Sequence, residues 1–119
     1  MSESYELHVK VAGVTFEGRQ AVLAWMDGYR DWFETWGAIH LLPEPTNEYD
    51  PNAIQVLAVC AGGTQQCGYV PRDKTKAVHE LLQVGAVEVR VLKLDTFEEW
   101  GDDGQRDVWY LRIAIRPVK

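Results

Sequence analysis

The sequence predicts a mainly β fold, a small six-stranded β-barrel carrying two helices. Three observations predict it. Short stretches alternate apolar and polar residues, as in half-buried strands. Glycine, proline and asparagine clusters separate these stretches. Two longer stretches instead repeat their apolar residues every three and four positions. Short strands joined by turns in a chain of 119 residues suit a small barrel.

The elements follow in order. Leu7, Val9 and Val11 alternate with His8, Lys10 and Ala12, and Gly13 ends this first strand. From about Gly18 to Phe33 the residues Val22, Leu23, Trp25, Met26, Tyr29, Trp32 and Phe33 recur at helical spacing, with Gly28 as a point of weakness. Ala38 to Leu42 reads as a strand stopped by Pro43 and Pro45. Thr46 to Asn52 is a loop of turn formers. Ala53 to Val59 is the most apolar strand, with Ile54 and Val56 facing inward. Gly62-Gly63 returns the chain into Gln66 to Val70. Asp73 suits the N-cap of a second helix to about Val84, with Ala77, Val78, Leu81 and Leu82 as its buried stripe and Gly85 as its end. Val87 begins a long strand, Trp100 to Gly104 turns it, and Val108 to Ile115 closes the set.

Composition narrows the functional classes. The length suits one domain over residues 1–119, and 46% hydrophobic residues can fill a core without staples. No apolar run approaches the roughly 20 residues of a membrane helix. The opening Met1-Ser2-Glu3-Ser4-Tyr5-Glu6 lacks the basic and apolar segments of a secretory leader, so a cytoplasmic location is expected and no membrane partner. Cys60 and Cys67 read as free thiols. His8, His40 and His79 are scattered, with no CxxC or HxxxH pattern, so neither a metal site nor a cofactor is expected. A net charge of −6 argues against a protein that coats duplexes through many phosphate contacts, though not against a compact site for one or two nucleotides. No nucleophile motif, Ser-His-Asp order or Gly-rich phosphate loop occurs, so the sequence does not read as an enzyme.

Three motifs carry a family resemblance. They are Val11 to Gln20 (VAGVTFEGRQ), Leu42 to Val56 (LPEPTNEYDPNAIQV) and Gly68 to Arg72 (GYVPR). In this order and spacing they resemble the HIRAN domain, across nearly the whole chain. The resemblance implies an OB-like β-barrel with two helices. In the DNA-repair members it also implies a pocket for the 3′-hydroxyl end of single-stranded DNA; the members that this chain resembles most are the bacterial and phage ones that often stand alone.

Such a pocket needs flat side chains to stack bases, an acceptor for the terminal hydroxyl, and cations or amides for the last phosphates. By resemblance, Tyr49 supplies a stacking ring and Asp50 the hydroxyl acceptor. A carboxylate there would also repel a 3′-phosphate. The bland reading of Asp50 is a turn cap before Pro51-Asn52, and both roles are compatible. Asn47 and Asn52 read as loop staples. Tyr69 and Arg72 lie in the region that contacts phosphates in the family, and a guanidinium fork suits that task. The bland reading of Arg72 is a surface salt bridge. Lys74 extends a small basic cluster. Phe16 occupies an aromatic family position. Thr15 stands where DNA-binding members can carry Arg, which removes a phosphate contact; Arg19 could compensate from the next turn. Phe97 or Trp100 could form a second stacking wall, among repelling carboxylates. Trp25, Trp32 and Trp36 read as core, or else as a partner-docking face.

Two functions follow. The first is a non-catalytic module for single-stranded nucleic-acid ends, in DNA repair, mobile-element or phage settings. The second is a protein–protein interaction module using an acidic and aromatic face.

Overall fold

The computed structural model describes residues 5–16 and 18–118. The elements are β1 (Leu7–Lys10), α1 (Arg19–Asp27), α2 (Arg30–Phe33), β2 (Ile39–Pro43), β3 (Ile54–Cys60), β4 (Gly63–Tyr69), α3 (Arg72–Val84), β5 (Val87–Gly101) and β6 (Gly104–Pro117). All six strands join one antiparallel sheet in the order β1-β6-β5-β2-β3-β4. The sheet curls into an OB-like half-barrel. Its two edges meet at one point, where Ala12 and Tyr69 exchange backbone hydrogen bonds of 2.8 and 2.9 Å.

Gly68 permits that meeting. A Cβ at this position would lie 2.3 Å from the Ala12 carbonyl oxygen and 2.9 Å from a Val11 methyl. A β-bulge between Val56 and Leu57 also falls here, so that Val56 faces Gly68 while Leu57 faces Gln66. The extra residue, Cys67, turns into the core, where its thiol donates to Met26 Sδ at 3.5 Å. Both cysteines are free.

The core collects the inward residues of each strand with the buried face of the helices. Val9, Ile39, Ile54, Val56, Leu94, Leu111, Ile113 and Ile115 are buried with Leu23, Met26, Phe33 and Val78. The alternation read in the sequence accounts for most of these. The stripe expected on the second helix is only partly buried: Val78 is buried, whereas Ala77, Leu81 and Leu82 are half-buried.

The first helical stretch is two helices, not one running through residues 18–33. It breaks at Gly28, and the 4-residue α2 restarts after Tyr29. This restart turns Phe33 inward, edge-on to Trp25 at 5.5 Å between centroids. Trp32 is left 50% exposed, its indole N–H donating to the Val59 carbonyl at 2.7 Å. Trp36 is half-buried between Arg90 and Arg116, away from the core cluster. The helical tryptophans are therefore not a buried stripe; only Trp25 packs on the core.

The N-cap of α3 is Pro71, not Asp73. Proline has no N–H to lose there. Among the described residues no side chain caps the free N–H groups of this helix; Thr75 in the first turn donates its hydroxyl to the Arg72 carbonyl at 2.9 Å. Asp73 falls in the first turn, where its charge suits the helix dipole. Among the described residues no helix is long and apolar enough to cross a membrane.

Candidate functional site

The point where Ala12, two residues past β1, meets Tyr69 of β4 is also the floor of a groove. Gly13 leaves β1 with φ +74°, a left-handed conformation that favours glycine. A Cβ there would lie 2.8 Å from Arg19 Nη1. The freed space lets Arg19 reach across the first motif and donate to the Gly13 carbonyl at 2.8 Å. A second bond, 3.1 Å to Gln66 Oε1, ties Arg19 to β4. Its guanidinium carbon lies 5.0 Å from the Phe16 ring centroid and 5.3 Å from that of Tyr69. The cation thus props two rings that stand on different segments of the chain.

The loop between β2 and β3 forms the facing wall. Asn47 shapes it: its side-chain oxygen accepts the backbone N–H groups of Tyr49 and Asp50 at 2.8 and 2.9 Å. Asp50 Oδ1 accepts the Asn52 N–H at 2.9 Å, closing the next turn. Asn52 contributes through its backbone, its carbonyl accepting a bond from His79 Nε2 at 3.0 Å. Asp50 Oδ2 points the other way and lies 3.6 Å from Arg72 Nε. The loop staple and the ion pair therefore coexist in one carboxylate, and the ion-pair partner of Arg72 is Asp50.

Around these walls Phe16, Arg19, Tyr49, Asp50, Tyr69 and Arg72 enclose a groove of about 520 Å³. That volume lies within the range of small-ligand pockets, about 300–1,000 Å³. Phe16 is 67% exposed and Tyr49 82%, so two aromatic faces remain open to solvent at the rim. Arg72 is likewise mostly exposed, and Asp50 is mostly covered. The groove thus offers open rings, one acceptor carboxylate and one exposed guanidinium.

Lys74 does not line the groove. It stands two residues beyond Arg72 on α3, about 200° around the helix, so the two side chains diverge. Phe97 and Trp100 do not line it either. Phe97 packs toward Tyr110 on the β5–β6 arm, 6.2 Å between centroids, and Trp100 sits at the arm's tip among Glu99, Asp102 and Asp103.

Sequence reasoning missed the residue that braces the groove from behind. The Glu44 carboxylate accepts the Tyr69 hydroxyl at 2.9 Å, the Asn47 side-chain amide at 2.9 Å, and the amide of Gln55. Gln66 donates to Gln55 Oε1 at 2.8 Å and accepts from Arg19. One chain of bonds therefore runs from Arg19 through Gln66 and Gln55 to Glu44, and on to Tyr69 and Asn47. Burial, and then the bond to Glu44, raise the Tyr69 hydroxyl above the usual tyrosine pKa. Glu44 lies inside the second motif, but its partners Gln55 and Tyr69 are 11 and 25 residues away, so the motif gives no sign of the bracing role.

The fold and the groove define a class: an OB-like half-barrel with a rim of exposed aromatics and one acid–base pair between neighbouring turns. The HIRAN domain family profile matches residues 5–96, and the chain belongs to that family. HIRAN domains are in general nucleic-acid-binding modules. Searches of curated proteins and of solved structures return no match.

Proposed function

We propose that this protein is a non-catalytic module that binds the 3′-hydroxyl end of a single nucleic-acid strand. The observation that carries the reading is the Asp50 carboxylate beside Arg72 in a groove rimmed by Phe16 and Tyr49. A terminal nucleotide has one flat base, one hydroxyl donor and one bridging phosphate. Tyr49 or Phe16 stacks the base, with about 1–3 kcal/mol available per base. Asp50 Oδ2 accepts the terminal hydroxyl and repels a phosphate at the same position. Arg72 swings from Asp50 to the phosphate. Arg19 keeps the rings in place, since its bonds to Gly13 and Gln66 turn it inward.

The test is a titration of labelled oligonucleotides ending in 3′-hydroxyl or 3′-phosphate, at two salt concentrations. A preference for the free hydroxyl at low salt supports the reading. Equal affinity for both ends, or no binding, overturns it.

A further inference from the structure

Five of the chain's twelve lysines and arginines lie on one surface outside the groove lining: Lys10 of β1, Arg90 and Lys93 of β5, and Arg112 and Arg116 of β6. Their inward neighbours Val9, Val91, Ile113 and Ile115 are buried, while Lys10, Lys93 and Arg112 are exposed. The register sharpens the arrangement. Lys10 stands opposite Arg112, and Arg112 opposite Lys93, so three cations form one row across three adjacent strands. The row spans about 10 Å. Like charges directly opposite destabilise a sheet. Among the described residues none of the three makes an ion pair. In a chain of net charge −6 such a row is not a by-product of excess base.

Aromatic rings and further cations extend the row. Lys10 Nζ lies 5.6 Å from the Tyr110 ring. Trp36 lies 3.9 Å from the Arg116 guanidinium carbon and 5.0 Å from that of Arg90. Glu88 neutralises Arg116, whereas Arg90 Nε is buried with no hydrogen-bond partner among the described residues. On the other side Asp95 bounds the basic stretch, and farther along the arm Glu99 is neutralised by Arg106 opposite it. Lys10 precedes the groove-lining Ala12 by two residues, so the row begins about 7 Å from the groove. Arg112 and Arg116 lie beyond residue 96, outside the stretch matched by the family.

We infer that this row is the track for the sugar-phosphate backbone of the strand whose end occupies the groove. This rests on the end-binding reading. The phosphates behind the terminal nucleotide cross the outer face of β1, β6 and β5, where they relieve the repulsion among Lys10, Arg112 and Lys93. Affinity then grows with strand length, and the growth is electrostatic.

The experiment compares 3′-hydroxyl oligonucleotides of about 2 nucleotides, too short to leave the groove, and of about 16 nucleotides, the upper span of single-strand sites on such folds. Fluorescence anisotropy is read for wild type and for the triple variant Lys10→Ala, Lys93→Ala, Arg112→Ala, with thermal unfolding as the control for folding. The wild type is expected to bind the longer strand more tightly. The variant is expected to keep its affinity for the short strand and lose the length advantage. Its log affinity against log salt for the long strand should flatten by about 2, because three phosphates no longer meet a cation. A variant that keeps both the length advantage and the salt slope overturns the inference while the end-binding reading stands, and points to an acidic protein as the occupant of this face. A wild type that binds the short strand with no gain in length overturns it equally. A wild type that binds neither strand overturns the end-binding reading and this inference with it.

Discussion

Asp50 Oδ2 lies 3.6 Å from Arg72 Nε, while Oδ1 of the same carboxylate accepts the Asn52 N–H at 2.9 Å. The two oxygens can be separated by substitution. Asp50→Asn keeps a side-chain oxygen for the Asn52 N–H and removes the charge that faces the groove. The turn is expected to survive, and the preference for a 3′-hydroxyl over a 3′-phosphate end to narrow by roughly tenfold, equivalent to about 1.4 kcal/mol. Competition between the two oligonucleotides reads this directly; an unchanged preference would place the hydroxyl elsewhere.

Arg72 gives a different signature. Its pair with Asp50 is exposed on the arginine side, and exposed pairs contribute at most about 1 kcal/mol. Arg72→Ala should therefore leave the urea midpoint almost unmoved. Binding of both oligonucleotide ends should weaken alike, and the salt slope should fall by about 0.7, one phosphate contact on a single strand. A selective loss for one end would contradict the phosphate role.

Gly68→Ala tests how the sheet edges meet. The new methyl would approach the Ala12 carbonyl to 2.3 Å, and backbone on both sides cannot yield cheaply. A loss of roughly 1–3 kcal/mol is expected, as for other overpacked sites. Urea denaturation measures it. Because Ala12 and Tyr69 line the groove, oligonucleotide binding should weaken in the folded variant too.

Ile54→Ala tests the central strand. Ile54 is fully buried, and its truncation should cost about 2–5 kcal/mol. A midpoint within error of wild type would contradict that packing. This residue also shows what was legible in the sequence. The alternation around Ile54 and Val56 names the inward face of β3, and three short motifs anticipate which loops stand together. Phe16, Tyr49, Asp50, Tyr69 and Arg72 do line one groove. What was not legible depends on partners distant in sequence. Arg19 reads as a phosphate ligand, and nothing local in the sequence shows that it also bonds the Gly13 carbonyl and the Gln66 side chain. Glu44 lies in the second motif with no sign there of its distant partners, and the Lys10-Arg112-Lys93 row exists only once strand register is known. The break at Gly28 was visible, but its consequence, Phe33 inward and Trp32 outward, follows from packing.

Cys67 supplies a prediction about pH. Burial pushes its thiol up from 9.0 to about 12, against smaller lowering influences from the Ala58 backbone and Arg19. The raised value means that the folded state holds the proton more tightly than the unfolded chain does. Stability from this group is therefore complete below about pH 9 and is lost as pH rises from there toward 12. Between those values the unfolded chain gains about 1.4 kcal/mol per pH unit from ionising the thiol. Cys67→Ala removes that contribution, although it lowers stability at neutral pH by leaving a gap beside Met26. The stability difference between wild type and variant should thus shrink by about 1 kcal/mol between pH 8 and pH 10. Urea midpoints at both pH values measure it, and a difference that stays constant would show that the thiol is not held protonated. Alkylation provides an independent reading. The half-buried Cys60 should react with iodoacetamide in the native protein, and the buried Cys67 only once urea unfolds the chain.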